Sequence, residues 1–219
     1  MKSEIPLLNA IIDVEAAARC GWPPIDLAHA FIKGGARFLQ FRAKSMSGDV
    51  FLATASAIVE LAHRHQSRVI INDRADIARL IGADGVHVGQ EDLPPAAVRA
   101  LVGKEVMVGL STHTLEQVEQ AVRQAVTYVA IGPVFDTMSK DTGYASIGLD
   151  TVREAAGRAA ARGLPLVAIG GITADNAASV LDAGAASVAV IGDLLSTRDP
   201  EARVRAFLDR LSRSERPRV

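Results

Sequence analysis

Three observations predict an α/β fold, a (β/α)8 TIM barrel forming a single domain over residues 1–219. About eight short runs rich in Val, Ile, Leu and Ala alternate with stretches of helical periodicity, and all connections but one are short. Aromatic residues are only 4% of the chain, so the core falls to aliphatic side chains, as in a parallel sheet covered on both faces by helices. No Gly-x-Gly-x-x-Gly turn follows the first strand, which disfavours an open, doubly wound sheet.

The elements follow in order. Residues 7–12 read as the first strand, ending at Asp13. Residues 26–33 read as a helix, with Pro23 and Pro24 before it and Gly34 and Gly35 after it. The second strand starts at Phe38 and runs into the polar exit Gln40-Phe41-Arg42-Ala43-Lys44, and a long amphipathic helix covers residues 47–65. Strands at 69–71 and 85–88 are each followed by a short helix, at 74–81 and 94–101. The fifth strand, 106–110, closes at Ser111, and Thr114 is placed to cap a helix over 115–125. The sixth strand, 128–131, opens into a non-periodic stretch, residues 132–148, whose Gly, Pro, Ser, Thr and Asp content predicts a loop. A loop that long in a compact domain usually has a function or is disordered. A helix at 149–162, a strand at 166–169, a helix at 174–182 capped by Gly184, a strand at 187–191 and a helix at 200–211 complete the pattern. Residues 212–219 read as a frayed basic tail.

Composition narrows the chemistry. The net charge of -1, from 24 basic and 25 acidic residues, gives no global attraction to nucleic acid or an anionic membrane. Anion recognition must therefore be local. No apolar run reaches the length of a membrane helix, and a single cysteine, Cys20, allows no intramolecular disulfide and fits a reducing, cytoplasmic compartment.

In a parallel barrel the C-terminal strand ends share one mouth, where active sites sit. Asn72-Asp73-Arg74 closes the third strand, and Gln90-Glu91-Asp92 follows the fourth, so Asp73 and Asp92 can face one cation. Two carboxylates plus substrate phosphate oxygens suit Mg²⁺. Competing structural roles are an Asp73–Arg74 pair and an Asp92 helix cap. Gln40, Arg42 and Lys44 share strand parity and form a local anion clamp, unless Lys44 lies beyond the strand end. Gly170 and Gly171 end the seventh strand and Gly192 follows the eighth, positions where backbone N–H groups often hold phosphate. Thr137-Met138-Ser139-Lys140 in the long loop supplies two hydroxyls and an ammonium. His87, inside the fourth strand, reads as a core histidine rather than a base. His63 and His65 show no carboxylate partner, and nothing indicates zinc or a serine hydrolase.

These pieces, together with Gly85-Val86-His87-Val88-Gly89, Gly109-Leu110-Ser111-Thr112-His113, Gly132-Pro133-Val134-Phe135-Asp136 and Ala168-Ile169-Gly170-Gly171-Ile172-Thr173, resemble the thiamine phosphate synthase family over nearly the whole chain. The resemblance implies a barrel transferase. It would join (4-amino-2-methyl-5-pyrimidinyl)methyl diphosphate to 4-methyl-5-(2-phosphoethyl)thiazole, giving thiamine phosphate and diphosphate. It places Gln40, Arg42, Lys44, Asn72, Ser111 and Lys140 on the pyrimidine diphosphate, with Lys140, Arg42 and Ser111 catalytic. Asp73 and Asp92 would hold Mg²⁺. Thr137, Met138, Ser139, Gly171, Ile191 and Gly192 would hold the thiazole phosphate.

Three positions depart from the family pattern: Ile12 before Asp13 where Thr is usual, Ser139 where a second Thr is common, and Gly192 where Ser is frequent. A thiazole tautomerase of the same superfamily is the nearest alternative, but it carries a His where Pro133 stands here. A catalytically silent precursor-binding barrel is the other alternative, and it predicts loss of acids that this chain retains.

Overall fold

The computed structural model describes residues 5–136 and 143–214. The strands are β1 (Leu8–Asp13), β2 (Phe38–Arg42), β3 (Arg68–Asn72), β4 (Gly85–Val88), β5 (Met107–Thr112), β6 (Tyr128–Ile131), β7 (Leu166–Ile169) and β8 (Ser187–Val190). They pair in parallel in chain order, and β8 closes on β1 through Leu8↔Val188 and Ala10↔Val190. The ring of helices comprises α1 (Val14–Arg19), α2 (Pro24–Lys33), α3 (Gly48–Arg64), α4 (Ala75–Ile81), α5 (Pro95–Val102), α6 (Leu115–Ala121), α7 (Gly148–Ala160), α8 (Ala177–Asp182) and α9 (Pro200–Ser214). Helix α9 runs three residues past the expected Leu211. Residues 215–219 of the expected tail lie outside the described residues, as does the loop stretch 137–142.

The barrel floor is filled by pairing large with small inward residues on adjacent strands. A Cβ on Gly109 would stand 2.1 Å from Tyr128 Cζ, and one on Gly85 would stand 2.4 Å from Ile70 Cδ1. The two glycines thus make the space that Tyr128 and Ile70 occupy. Phe38 meets Tyr128 edge-on at 6.4 Å, the favoured geometry for two aromatic quadrupoles. This packing closes the barrel below and leaves a cavity open above.

Helix α1 was not foreseen. It follows β1 with no connecting loop. Asp13 ends the strand and also caps the helix, its Oδ1 accepting from Ala16 N–H at 2.9 Å. An Asp N-cap, a first-turn Glu15 and three alanines are a helix start in their own right. Helices α6 and α8 are shorter than their periodicity predicts. Thr127 ends the first early, its N–H donating to Val108 O at 2.7 Å and its Oγ1 accepting from Val108 N–H at 3.0 Å, which pulls the chain into β6. Asn176 delays the second: its Oδ1 accepts from Thr173 N–H at 2.8 Å and its Nδ2 donates to Gly171 O at 3.0 Å, so 173–176 form a turn instead of helix. His63 does have a carboxylate partner: its Nε2 lies 3.0 Å from Asp84 Oδ2, a neighbour that sequence spacing does not reveal.

Candidate active site

A cavity of about 420 Å³ opens at the C-terminal ends of the strands. Its walls include Asn9, Gln40, Arg42, Asn72, His87, Ser111, Tyr128, Gly171, Ile191 and Gly192. Of the expected site residues, Gln40, Arg42, Asn72, Ser111, Gly171, Ile191 and Gly192 are therefore brought to one surface. Thr137, Met138, Ser139 and Lys140 lie outside the described residues.

The expected three-residue clamp is only partly formed. Strand β2 ends at Arg42, so Lys44 lies beyond it and does not line the cavity. Lys44 instead reaches across the mouth, Nζ to Asp73 Oδ2 at 2.5 Å. Arg42 is held from below by an ion pair with Asp13, whose side chain is only 2% exposed. Asp13 thus balances part of the Arg42 charge and fixes the direction of its guanidinium. Glu15 of α1 does the same for the loop: its Oε1 accepts from Lys44 N–H at 2.9 Å and from Ser45 Oγ at 2.8 Å. The sequence pattern as read above places no helix over 14–19, and so gives Asp13 and Glu15 no role at the site. The capping signature of 13–19 is the signal that marks them.

Asp73 and Asp92 are together. Neither adopts its competing structural role: Arg74 pairs with Asp76 at 2.6 Å, and Asp92 Oδ2 accepts from Gly89 N–H at 2.7 Å rather than capping a helix. Burial and the adjacent Asp92 hold Asp73 above the usual carboxylate range, against the opposing pull of Lys44. Burial also acts on Asp92, but Gly89 N–H, Asp73 and Lys44 outweigh it and hold Asp92 low. One carboxyl of the pair retains a proton more readily than the other, as expected of two acids in contact. Asp73 has φ of 62°, the left-handed region that disfavours most side chains, so the backbone is bent to deliver this carboxylate to the mouth. Among the described residues no group of three or more metal-ligating side chains occurs. Two acids that would repel when ionised still suit a hard cation completed by substrate oxygens and water.

His87 is buried in the cavity wall with both ring nitrogens occupied: Nδ1 lies 2.9 Å from Tyr128 Oη and Nε2 lies 2.7 Å from Ser111 Oγ. The expectation of a satisfied core histidine fits this geometry, although one of its partners is a site residue. Asn9 is a second unforeseen wall residue, with Oδ1 buried and without a hydrogen-bond partner among the described residues.

The exits of β6 and β7 interlock. Val134 N–H donates to Ile169 O at 2.9 Å and Phe135 N–H to Gly170 O at 3.0 Å. Gly171 has φ of 63°, and a Cβ there would stand 2.6 Å from Asp136 O. The glycine is thus required by the approach of the long loop, whether or not an anion is bound. His113 holds both ends of that loop: its Nδ1 lies 2.6 Å from Gly132 O, and its ring stacks on Tyr144 at 4.0 Å. Asp193, also in the wall, is drawn aside by Arg203 at 2.6 Å, which offsets its charge next to Gly192.

A family model described as thiamine monophosphate synthase matches residues 10–194, which span the barrel from β1 to the turn after β8. The chain belongs to the thiamine monophosphate synthase family. It is 44% identical over 214 residues to a thiamine-phosphate synthase of Koribacter versatilis, covering 94% of this chain and 95% of that protein. It is 43% identical over 185 residues to one of Roseiflexus castenholzii, covering 84% and 80%. Among solved structures, a thiamine phosphate pyrophosphorylase from Pyrococcus furiosus superposes with a TM-score of 0.85 at 26% identity, covering 95% of this chain and 96% of that one. Enzymes of the thiamine monophosphate synthase family are transferases that make thiamine phosphate. The matched span contains both acids of the Asp73–Asp92 pair, the Asp13–Arg42 pair and the His87–Ser111 contact. Among the described residues no helix is long and apolar enough to cross a membrane.

Proposed function

We propose that this barrel is a thiamine phosphate synthase that joins (4-amino-2-methyl-5-pyrimidinyl)methyl diphosphate to 4-methyl-5-(2-phosphoethyl)thiazole, releasing diphosphate. The observation that carries the reading is that the cavity wall holds Arg42, the amides of Gln40 and Asn72 and glycine-rich strand exits, while the Asp73–Asp92 pair stands next to it, directly after the wall residue Asn72. The pyrimidine diphosphate lies on the β2–β5 side. Gln40 and Asn72 offer amide edges to it, Ser111 a hydroxyl, and Arg42 and Lys44 positive charge. Lys140 completes this set from the long loop. The thiazole phosphate lies on the β7–β8 side, held by backbone N–H groups of Gly171, Ile191 and Gly192 and by Thr137, Met138 and Ser139.

The carbon–oxygen bond to diphosphate breaks with its electron pair leaving on oxygen, and the thiazole nitrogen then bonds to the cationic methylene carbon. No side chain acts as a nucleophile in this chemistry; the His87 imidazole beside Ser111 Oγ holds that hydroxyl rather than activating it for attack. What the protein must supply is neutralisation of charge growing on the leaving group. Mg²⁺ held by Asp73 and Asp92 would supply part of it by polarising the diphosphate oxygens. Arg42, Lys44 and Lys140 supply the rest. The long loop excludes water that would capture the methylene cation. Small-molecule substrates account for all of these groups, so no nucleic acid or membrane partner is invoked. A single free, exposed Cys20 suits a cytoplasmic protein.

Pro133, in the cavity wall, puts no titratable group where a tautomerase would hold one. Incubation with thiazole phosphate alone, then with both substrates and Mg²⁺, tests the assignment. Thiamine phosphate should form only in the complete mixture. Isomerisation of a thiazole precursor without coupling would favour the tautomerase instead.

A further inference from the structure

The Tyr128 side chain is completely buried, and its hydroxyl has one hydrogen-bond partner among the described residues, Nδ1 of His87. Its position is set by packing: Gly109 makes room for the ring, and Phe38 meets it edge-on. Burial pushes the Tyr128 phenol up, so it keeps its proton. If the phenol oxygen only accepted, its O–H would be buried with no acceptor, a costly arrangement. The O–H therefore donates to Nδ1. A neutral imidazole that accepts at Nδ1 carries its proton on Nε2. That N–H points at Ser111 Oγ, 2.7 Å away, so Ser111 accepts from the protein and has its own hydrogen left for the cavity.

We propose that Tyr128 and His87 form a positioning relay that fixes Ser111 as a hydrogen-bond donor to an acceptor atom of the pyrimidine diphosphate. The inference rests on the reading that Ser111 faces the pyrimidine diphosphate. Tyr128 and His87 both lie in the cavity wall, and the role assigned to them here is exercised through Ser111. Without the phenol, the imidazole proton can sit on either nitrogen. Part of the Ser111 population then donates to His87 and turns an oxygen lone pair towards the acceptor.

Two measurements on the full-length enzyme test this. Long-range ¹H–¹⁵N spectra, with His87 assigned among five histidines by comparison with His87→Gln, should show a neutral His87 protonated at Nε2. They should show a mixture of tautomers in Tyr128→Phe. A wild-type His87 protonated at Nδ1, or on both nitrogens, overturns the relay. In steady-state coupling, Tyr128→Phe should lower kcat about 3–10-fold, the worth of one neutral hydrogen bond, with the thiazole phosphate KM unchanged. Introduced into Ser111→Ala, the same change should have no further effect, because its path to the substrate is gone. A full additive loss in the double variant would mean that Tyr128 acts on stability alone and would overturn the proposal. The tautomer is read without turnover, so a protein that makes no thiamine phosphate would defeat the functional reading and leave the orientation of Ser111 to be decided by the spectra.

Discussion

Asp13 does two jobs that one pair of substitutions separates. Its Oδ1 caps α1 and its Oδ2 pairs with Arg42. Asn is as good an N-cap as Asp, so Asp13→Asn keeps the cap and removes only the charge, whereas Asp13→Ala removes both. Breaking a buried ion pair costs about 3–5 kcal/mol, because the remaining charge is left uncompensated. Here Arg42 is 14% exposed and lines the open cavity, which sets the loss near the lower bound, about 3 kcal/mol for Asp13→Asn. Losing the cap adds about 1 kcal/mol in Asp13→Ala. For a chain of this size each kcal/mol lowers Tm by about 2–4 °C, so the asparagine variant should melt about 6–12 °C early and the alanine variant a few degrees earlier still. The unheld guanidinium should also raise the pyrimidine diphosphate KM in both variants and leave the thiazole phosphate KM nearly unchanged. Calorimetry and steady-state kinetics on both variants measure this. An Asp13→Asn protein with wild-type Tm and wild-type KM would show that Arg42 is oriented by something other than Asp13.

Asp92→Asn should abolish the activation by Mg²⁺ while the barrel stays folded, and activity of the wild type should vanish in EDTA and return on adding Mg²⁺. Because burial and Asp92 hold Asp73 above the usual carboxylate range, protons compete with the cation at a higher pH than at an ordinary aspartate. Mg²⁺ affinity, followed by calorimetric titration, should weaken as pH falls through that raised pKa and level off above it. The stability sign is consistent: protonated Asp73 favours the fold at low pH, and that contribution is lost as pH rises through the raised pKa. Asp73→Asn stays neutral at every pH and tolerates a left-handed backbone, so in EDTA at pH 8 it should melt no lower than wild type. Lys140→Ala should lower kcat about 10²–10³-fold with a smaller change in pyrimidine KM, as for loss of one charge stabiliser specific to the transition state, and single-turnover rates would show it. His113→Ala should release both ends of the long loop and make limited proteolysis there about 5-fold faster, the worth of about 1 kcal/mol of local closure.

The barrel was legible because its signal is repeated: each strand is an aliphatic run, and each ends at a polar or glycine-rich exit. The strand ends and their parity therefore pointed to Gln40, Arg42 and the two aspartates, and the family resemblance added Asn72 and Ser111. What escaped was anything set by neighbours distant in sequence. Lys44 has the right parity, but the strand stops two residues short of it, and its direction comes from Asp73, 29 residues on. The Asp13–Arg42 pair spans the same interval across two strands. Tyr128 read only as the start of an apolar run, because its role depends on the space left by Gly109 one strand away. Gly171 was assigned to close approach of an anion, whereas the nearest group that excludes a side chain is the long loop's own backbone.

The central claim is that one mouth couples the two heterocycles with release of diphosphate under divalent-cation control. A ³¹P NMR time course with both substrates, in Mg²⁺ and in EDTA, reads it in one experiment. In Mg²⁺ the pyrimidine diphosphate signals should give way to free diphosphate, with thiamine phosphate formed in equal amount, and in EDTA both should stay absent. Diphosphate release without thiamine phosphate, or equal coupling in EDTA, would contradict it.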